Sequence, residues 1–149
     1  MRVVFGEIFI KSIKDFNVNC AAFIDSKYVA DLDAVKFAAE KAIKSWERGE
    51  RISRSLPLEI LLYYAATRQI KDAIKLGLRE GLNRVAAVVL NEKEFEKIGF
   101  RQLKFDPDFD LDLIMKHYEI TDEELKIVGE EKIPLLIKER IALFAAMKE

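Results

Sequence analysis

A run of seven consecutive apolar residues, at positions 60–66, constrains the fold of this chain more than any other feature. Ser55 can cap a helix, Pro57 fits a first helical turn, and Glu59 suits the positive end of a helix dipole, so the run predicts a helix that begins after Ser55. Because seven apolar residues in succession leave no polar side, every face of that helix is expected to contact protein. The segment therefore predicts a central buried helix.

Polar, hydrogen-bonding side chains flank this helix at both ends. They are Ser53, Arg54 and Ser55 before it, and Thr67, Arg68 and Gln69 after it. A bend is expected at Thr67, followed by an amphipathic helix from Ile70 that Gly77 ends. A buried helix with polar groups at both ends suits a rigid platform for a recognition surface, which is a binding role and not a catalytic one.

Length and composition predict one domain, residues 1–149, with a core that needs no disulfide bonds. The single cysteine, Cys20, lies in an apolar stretch, which favours a buried thiol and a reducing compartment. No run approaches the roughly 18 apolar residues that span a membrane, and Glu7 interrupts the apolar stretch that a secretory signal needs. We therefore expect a cytoplasmic protein with no membrane partner. Abundant Lys, Glu and Ile with scarce Gln are typical of proteins from hot environments.

The formal net charge of −1 hides an uneven distribution. Residues 41–84 contain ten basic and five acidic side chains, whereas residues 106–131 contain ten acidic and two basic ones. This distribution allows a basic face in the middle of the chain, although a surface with mixed charges is the simpler alternative. A total near zero argues against binding DNA or any duplex by charge alone.

Strand and helix patterns alternate along the chain without repeats or linkers. The predicted strands cover residues 3–10, 18–24, 84–90 and 100–105. Besides the central helix, helices are predicted over residues 32–46, 92–98 and 111–118, after a capping box at residues 121–124, and from Pro134 to the end. The sequence predicts an α+β fold in which a small, mainly antiparallel sheet of about four strands packs with several helices.

Residues for catalysis and metal binding are few. His117 is the only histidine and Cys20 the only cysteine, so a His/Cys zinc site is excluded, and no phosphate-binding glycine motif occurs. The alternating aspartates of residues 106–112 lack the glycine of a calcium loop, so a solvated turn is favoured over a weak magnesium site. We expect no enzyme activity, no metal and no cofactor; a small-molecule enzyme would need a deep pocket with perturbed carboxylates.

The sequence of residues 53–70 resembles a known family. Leu58-Glu59-Ile60-Leu61-Leu62 leads into Thr67-Arg68-Gln69-Ile70, as in the small kinase-associated subunit of the KEOPS complex, the family of the human PRPK-binding protein TPRKB. The order of predicted strands and helices, the segment Ile120 to Leu125 and the pair Glu139-Arg140 in the final helix also match. Ala66 departs from the glycine that many relatives have there.

The resemblance implies a subunit of archaeal type that binds and stimulates a small atypical kinase and meets the rest of KEOPS through it. It implies a non-catalytic role in making threonylcarbamoyladenosine at position 37 of tRNA, and binding of the 3′ CCA end of tRNA. A protein–protein scaffold without RNA contact is the alternative.

The RNA-binding residues expected on this basis lie at both ends of the central helix. They are Ser53, Arg54, Ser55, Arg68, Gln69 and Lys71. Single-stranded ends are bound by stacking and by hydrogen bonds to base edges, which arginine and glutamine can supply. The alternatives are an ion pair of Arg68 with Asp72 or stacking on Tyr64, a buried amide for Gln69, and a helix cap for Ser55.

The surface that meets the kinase is expected on the closing helix. That helix has more apolar positions than one buried stripe requires, among them Leu135 and Leu143. The predicted partner contacts are Leu136, Ile137, Arg140 and Ile141. The alternative is that both sides of this helix are core.

Overall fold

Four strands form one antiparallel sheet in the computed structural model, which describes residues 1–148 and, of Lys148, the backbone alone. The strands are β1 (Arg2–Ile10), β2 (Ala21–Asp25), β3 (Gly81–Val89) and β4 (Arg101–Gln102). Their order in the sheet is β2–β3–β1–β4. In this part of the chain the α-helices are α1 (Leu32–Glu47), α2 (Leu56–Ala65), α3 (Ile70–Ile74), α4 (Glu92–Phe95), α5 (Leu111–Tyr118), α6 (Asp122–Val128) and α7 (Ile133–Lys148). The predicted α+β fold with a small antiparallel sheet is confirmed.

The centre of the sheet is the pair β1 and β3. They pair along their whole length, from Arg2 opposite Val89 to Ile10 opposite Gly81. This is why β3 begins three residues before the predicted strand: its first residues pair with the end of β1. One sheet face, with Ala22, Ile24, Ala86 and Val88, packs on the helices, and the other lies under the loops near Phe16 and Phe100.

The predicted fourth strand, residues 100–105, is wrong in length, because only Arg101 and Gln102 pair with β1. Glycine lets this short strand approach: a Cβ on Gly6 would lie 2.1 Å from the carbonyl oxygen of Arg101. Phe105 instead leaves the sheet and packs edge to face on Phe5, with ring centroids 5.1 Å apart.

Helix α2 is the buried element that the apolar run predicts. Its residues from Glu59 to Ala65 are all buried, and they contact β2, α1, α3 and α7. Ser55 caps it by accepting from the N–H of Leu58, and Pro57 lies in the first turn. The prediction that every face of this helix contacts protein is confirmed.

Three other predicted helix starts also hold, whereas two predicted helix ends are wrong: α4 ends at Phe95 and not at residue 98, and α3 ends at Ile74, before Gly77. Asp31 accepts from the N–H of Ala34 to cap α1, and Thr121 accepts from the N–H of Glu124 to cap α6. Helix α7 begins at Ile133, one residue before Pro134. Among residues 1–148, no helix has the length and apolar character needed to cross a membrane.

Candidate functional site

An open groove of about 880 Å³ lies beyond the C-terminal end of α2. Its walls come from three segments that are distant from one another in sequence: residues 66–69 with the adjoining α3, then α5, and then α7. We call it the Arg68 groove, after the arginine on its rim. Its size is within the usual range for ligand sites in proteins.

The backbone of residues 66–69 is held in a fixed shape. Ala66 ends α2 in the left-handed conformation, with φ 52° and ψ 44°, and its N–H donates to the carbonyl oxygens of Leu62 and Tyr63. Thr67 then accepts a hydrogen bond from the N–H of Gln69 through its side-chain oxygen, at 3.1 Å. The predicted bend at Thr67 is confirmed, and it starts at Ala66.

Arg68 and Gln69 are both exposed at the groove. Within residues 1–148, neither side chain has a hydrogen bond or an ion pair. Asp72 pairs instead with Lys75, at 3.6 Å, and Tyr64 is fully buried. The structural alternatives are therefore wrong: Arg68 makes no ion pair with Asp72, the ring of Tyr64 is covered, and the amide of Gln69 is exposed and not buried.

The base of the groove is aromatic and contains two buried hydroxyl hydrogen bonds. The hydroxyl of Tyr64 donates to the carbonyl oxygen of Tyr28, and the hydroxyl of Tyr118 donates to that of Tyr64, each at 2.5 Å. Burial raises the pKa of both Tyr64 and Tyr118, so both stay neutral hydrogen-bond donors. This network makes the base of the groove rigid.

His117 lies half-buried in the groove, with Nε2 2.8 Å from the carbonyl oxygen of Ala65. Because a carbonyl oxygen only accepts, Nε2 carries the proton, and Nδ1 of the neutral ring is an acceptor. Burial lowers the pKa of His117, so the ring is neutral at pH 7. The groove thus contains an uncharged imidazole beside its cations.

Four cations and two anions line the groove. Two of the cations are already paired: Lys75 with Asp72, and Arg140 with Glu124. Arg68 and Lys116 have no ion pair with any described residue, and Glu119 is the remaining anion. The groove therefore offers two available cations to a negatively charged ligand.

The predicted residues before α2 lie elsewhere. Ser53 donates from its hydroxyl to Glu59 at 2.7 Å, and Ser55 caps α2, while Arg54 is exposed. The buried Glu59 carboxylate also accepts from the N–H groups of Ile52 and Ser53. Because α2 has ten residues, this loop lies about 15 Å from the groove. The structure thus separates the six predicted RNA contacts into two groups.

The expected partner surface on α7 needs correction. Leu136 is 4% exposed, and Ile137 and Ile141 are fully buried, because this side of α7 packs into the core. Arg140 binds the carboxylate of Glu124 with two nitrogens, at 2.8 and 3.1 Å, and also donates to the carbonyl oxygen of Tyr118. These four residues hold α7 in place and do not form an exposed patch.

Several groove residues were not predicted from the sequence. Lys116, Tyr118, Phe144 and Met147 come from α5 and α7, and only the tertiary packing brings them to Arg68. Lys71, which was predicted, is exposed on α3 but does not line the groove. Among the described residues, no group of three or more His, Cys, Asp or Glu side chains could hold a metal ion; Asp110 caps α5.

Comparison with protein families gives a match that covers most of the chain. Residues 7–144 match the family described as kinase binding protein CGI-121. No individual curated protein matches the sequence significantly. The chain belongs to the CGI-121 family of kinase binding proteins, which is the family that its sequence resembles.

Proposed function

We propose that this kinase binding protein is a regulatory subunit of the KEOPS complex that also binds the 3′ CCA end of tRNA. In this role it stimulates a small atypical kinase and supports threonylcarbamoyladenosine formation at position 37 of tRNA, without catalysing a step itself. An archaeal origin and a cytoplasmic location accompany the proposal. The observation that carries its RNA half is the open groove with unpaired Arg68 and Gln69 on its rim.

The groove has the chemistry that a single-stranded RNA end requires. Such ends are bound by stacking on aromatic or guanidinium planes, by hydrogen bonds to base edges, and by cations near the phosphates. Arg68 supplies a guanidinium, Gln69 an amide that both donates and accepts, and His117 a neutral ring. Lys116 supplies a second cation. Phe144 adds a partly buried aromatic ring to the wall.

The charge of the groove supports an RNA end over a duplex as its ligand. Only two unpaired cations face the groove, and the formal net charge of the chain is −1. Duplex binding depends on many phosphate contacts along a surface. A short strand that enters a groove obtains its affinity mainly from base contacts.

A comparison of two RNAs tests the RNA half. Intact tRNA and tRNA trimmed of its 3′ CCA are titrated with the protein under the same salt conditions. We expect the trimmed RNA to bind at least tenfold more weakly, because it lacks the bases that enter the groove. Equal affinities would remove the end-recognition role and leave a protein–protein scaffold.

A second experiment tests the kinase half. The small atypical kinase of the same genome is purified with and without this chain, and ATP hydrolysis is measured. We expect a stable complex, a faster ATPase in the complex than in the kinase alone, and no hydrolysis by this chain alone. A kinase that neither binds nor responds would contradict the regulatory role.

A further inference from the structure

His117 presents a hydrogen-bond acceptor that the fold itself does not use. Its Nε2–H donates to the carbonyl oxygen of Ala65 at 2.8 Å, whereas Nδ1 has no partner among residues 1–148. In the same part of the chain, no buried side-chain nitrogen or oxygen is left without a hydrogen bond. Nδ1 must therefore reach solvent, and it does so in the Arg68 groove, which His117 lines.

The ring of His117 is held in one orientation. It packs edge to face with Tyr118, with ring centroids 4.7 Å apart, and with Tyr28, with ring centroids 5.9 Å apart. These two rings fix the plane of the imidazole, and the hydrogen bond to Ala65 fixes its tautomer. An acceptor that is oriented before its ligand arrives loses little freedom on binding, so its contact adds to affinity and to selectivity.

The other polar groups of the groove are less selective than Nδ1. The four cations can only donate, and the two carboxylates carry a negative charge. The amide of Gln69 is neutral, but it is exposed and no side-chain hydrogen bond within residues 1–148 fixes it. The hydroxyl of Tyr28 can donate as well as accept. Nδ1 of the neutral imidazole can only accept, so it distinguishes a donor on the ligand from an acceptor.

The depth of His117 in the groove determines which part of an RNA end it contacts. Arg68 and Gln69 lie exposed on the rim, whereas His117 lies half-buried beside the aromatic base that Tyr64 and Tyr118 form. A strand that enters by its end brings its last base deepest, while its phosphates stay near the cations of the rim. The group that meets His117 is then the last base and not a phosphate.

We propose that Nδ1 of His117 accepts a hydrogen bond from the exocyclic amino group of the terminal adenine, which makes His117 a specificity-determining residue of the groove. The inference rests on the proposed binding of the 3′ CCA end, whose last base is adenine. Adenine carries this amino group as a donor on both edges that proteins read in single strands. A base with a carbonyl oxygen in that place would set one acceptor against another.

Removal of one group from the RNA tests the contact. Intact tRNA is compared with the same tRNA ending in purine riboside, which has a hydrogen atom where adenosine has its amino group. We expect the wild-type chain to bind the purine-ended tRNA about 3–10-fold more weakly, as expected for the loss of one neutral hydrogen bond. Equal affinities for the two tRNAs would overturn the contact.

Two protein variants separate Nδ1 from the rest of the groove. His117→Gln keeps a side-chain N–H for the carbonyl oxygen of Ala65 but has no acceptor in the place of Nδ1, so its affinities for the two tRNAs should differ less than about twofold. Lys116→Ala is the control: it removes a neighbouring cation and should weaken both tRNAs by the same factor. Urea unfolding checks that both variants fold. A folded His117→Gln variant that keeps the full preference for adenosine would overturn the proposal.

Nitrogen NMR tests the contact in the wild-type chain, whose single histidine gives one pair of ring signals. When intact tRNA binds, the Nδ1 signal should shift in the direction of a hydrogen-bonded acceptor while Nδ1 stays unprotonated. The purine-ended tRNA should leave this signal near its position in the free chain. Protonation of Nδ1 in the complex would mean that His117 binds a phosphate, and it would overturn the proposal.

Failure of this inference differs from failure of the proposed function. If intact tRNA and tRNA trimmed of its 3′ CCA bind equally, the end-recognition role is wrong and the contact with adenine is wrong with it. If the trimmed tRNA binds more weakly but the purine-ended tRNA binds as tightly as intact tRNA, the groove binds the RNA end and His117 does not read its last base.

Discussion

Ala66 occupies a backbone conformation that alanine disfavours. At φ 52° it lies in the left-handed region, which costs a residue with a Cβ about 1 kcal/mol more than glycine. We expect Ala66→Gly to raise the free energy of unfolding by about 0.5–1 kcal/mol in urea denaturation. Ala65→Gly, one position earlier and inside the helix, should lower it by about 1 kcal/mol. A loss of stability in both variants would contradict this account of Ala66.

Arg68 and Arg54 are both exposed arginines, one at each end of α2. If the Arg68 groove binds RNA, Arg68→Ala should weaken the binding of intact tRNA by about 10–100-fold, as expected for loss of a charge-assisted contact. Arg54→Ala, about 15 Å away, should change it less than threefold. Both variants should unfold within about 0.5 kcal/mol of the wild type, since neither side chain is buried. Equal losses in both variants would place RNA binding on overall charge instead.

His117 makes the stability depend on pH in a defined window. Burial lowers its pKa in the folded chain, so the unfolded chain binds the proton more readily. This stability is complete above about pH 6.5 and is lost as the pH falls from there through the pKa of the folded state, at no more than about 1.4 kcal/mol per pH unit. His117→Gln should remove the dependence between pH 7 and pH 5.

The measurement is simple, because the chain has one histidine. Its ring protons can be followed by NMR, and urea unfolding can be repeated at each pH. The carboxylates of Glu92 and Glu124, whose pKa values are lowered by Arg2 and Arg140, titrate at lower pH. A His117 pKa above 6.5 would contradict the assignment.

At the scale of single elements, the conformation of the loop before α2 depends on the carboxylate of Glu59. Glu59 is fully buried and accepts from the N–H groups of Ile52 and Ser53 and from the Ser53 hydroxyl. Glu59→Ala leaves the two N–H groups without an acceptor, while the Ser53 hydroxyl keeps the carbonyl oxygen of Ser55 at 3.1 Å. The loss should lower the free energy of unfolding by about 2–3 kcal/mol. It should also expose residues 51–55 to protease. Glu47→Ala, at an exposed position of α1, is the control and should change stability by less than about 0.5 kcal/mol.

The sequence predicts an element well when the interactions that form it lie within a few residues of one another. The caps at Asp31, Ser55 and Thr121 and the apolar run of α2 act within a few residues, and the sequence predicts each of them. The fourth strand fails because its length is set by the approach of Arg101 to Gly6, almost 100 residues away. On α7 the apolar pattern does not distinguish the core side from the exposed side, so Ile137 and Ile141 were expected at the surface.

At the scale of the whole molecule, the few charges that face the groove predict that RNA binding depends only weakly on salt. Single-stranded RNA contributes a slope of about −0.7 in log affinity against log salt for each neutralised phosphate. Arg140 is held by Glu124, and three other basic side chains line the groove: Arg68, Lys75 and Lys116. The slope should therefore be no steeper than about −2. A slope near −5 would indicate that the basic residues of 41–84 contact a long stretch of RNA.

The candidate site is predictable from sequence only in part. Arg68 and Gln69 adjoin a buried helix, so the sequence indicates that they are held in place. Whether they reach water depends on Asp72, which could have paired with Arg68 but pairs with Lys75. The opposite wall, with His117 and Phe144, comes from segments about 50 and 75 residues further along. Its position is set by how α5 and α7 pack.

Helix α3 has a consequence for how two ligands influence one another. Asp72 and Lys75 border the Arg68 groove, whereas Ile74 borders a second, apolar groove between the 13–18 loop and the start of α2, so residues 72–75 contribute to the walls of both grooves. A ligand that moves α3 in one groove therefore also changes the wall of the other groove. Thermodynamic reciprocity then applies: if a bound protein changes the affinity for RNA by some factor, bound RNA changes the affinity for that protein by the same factor.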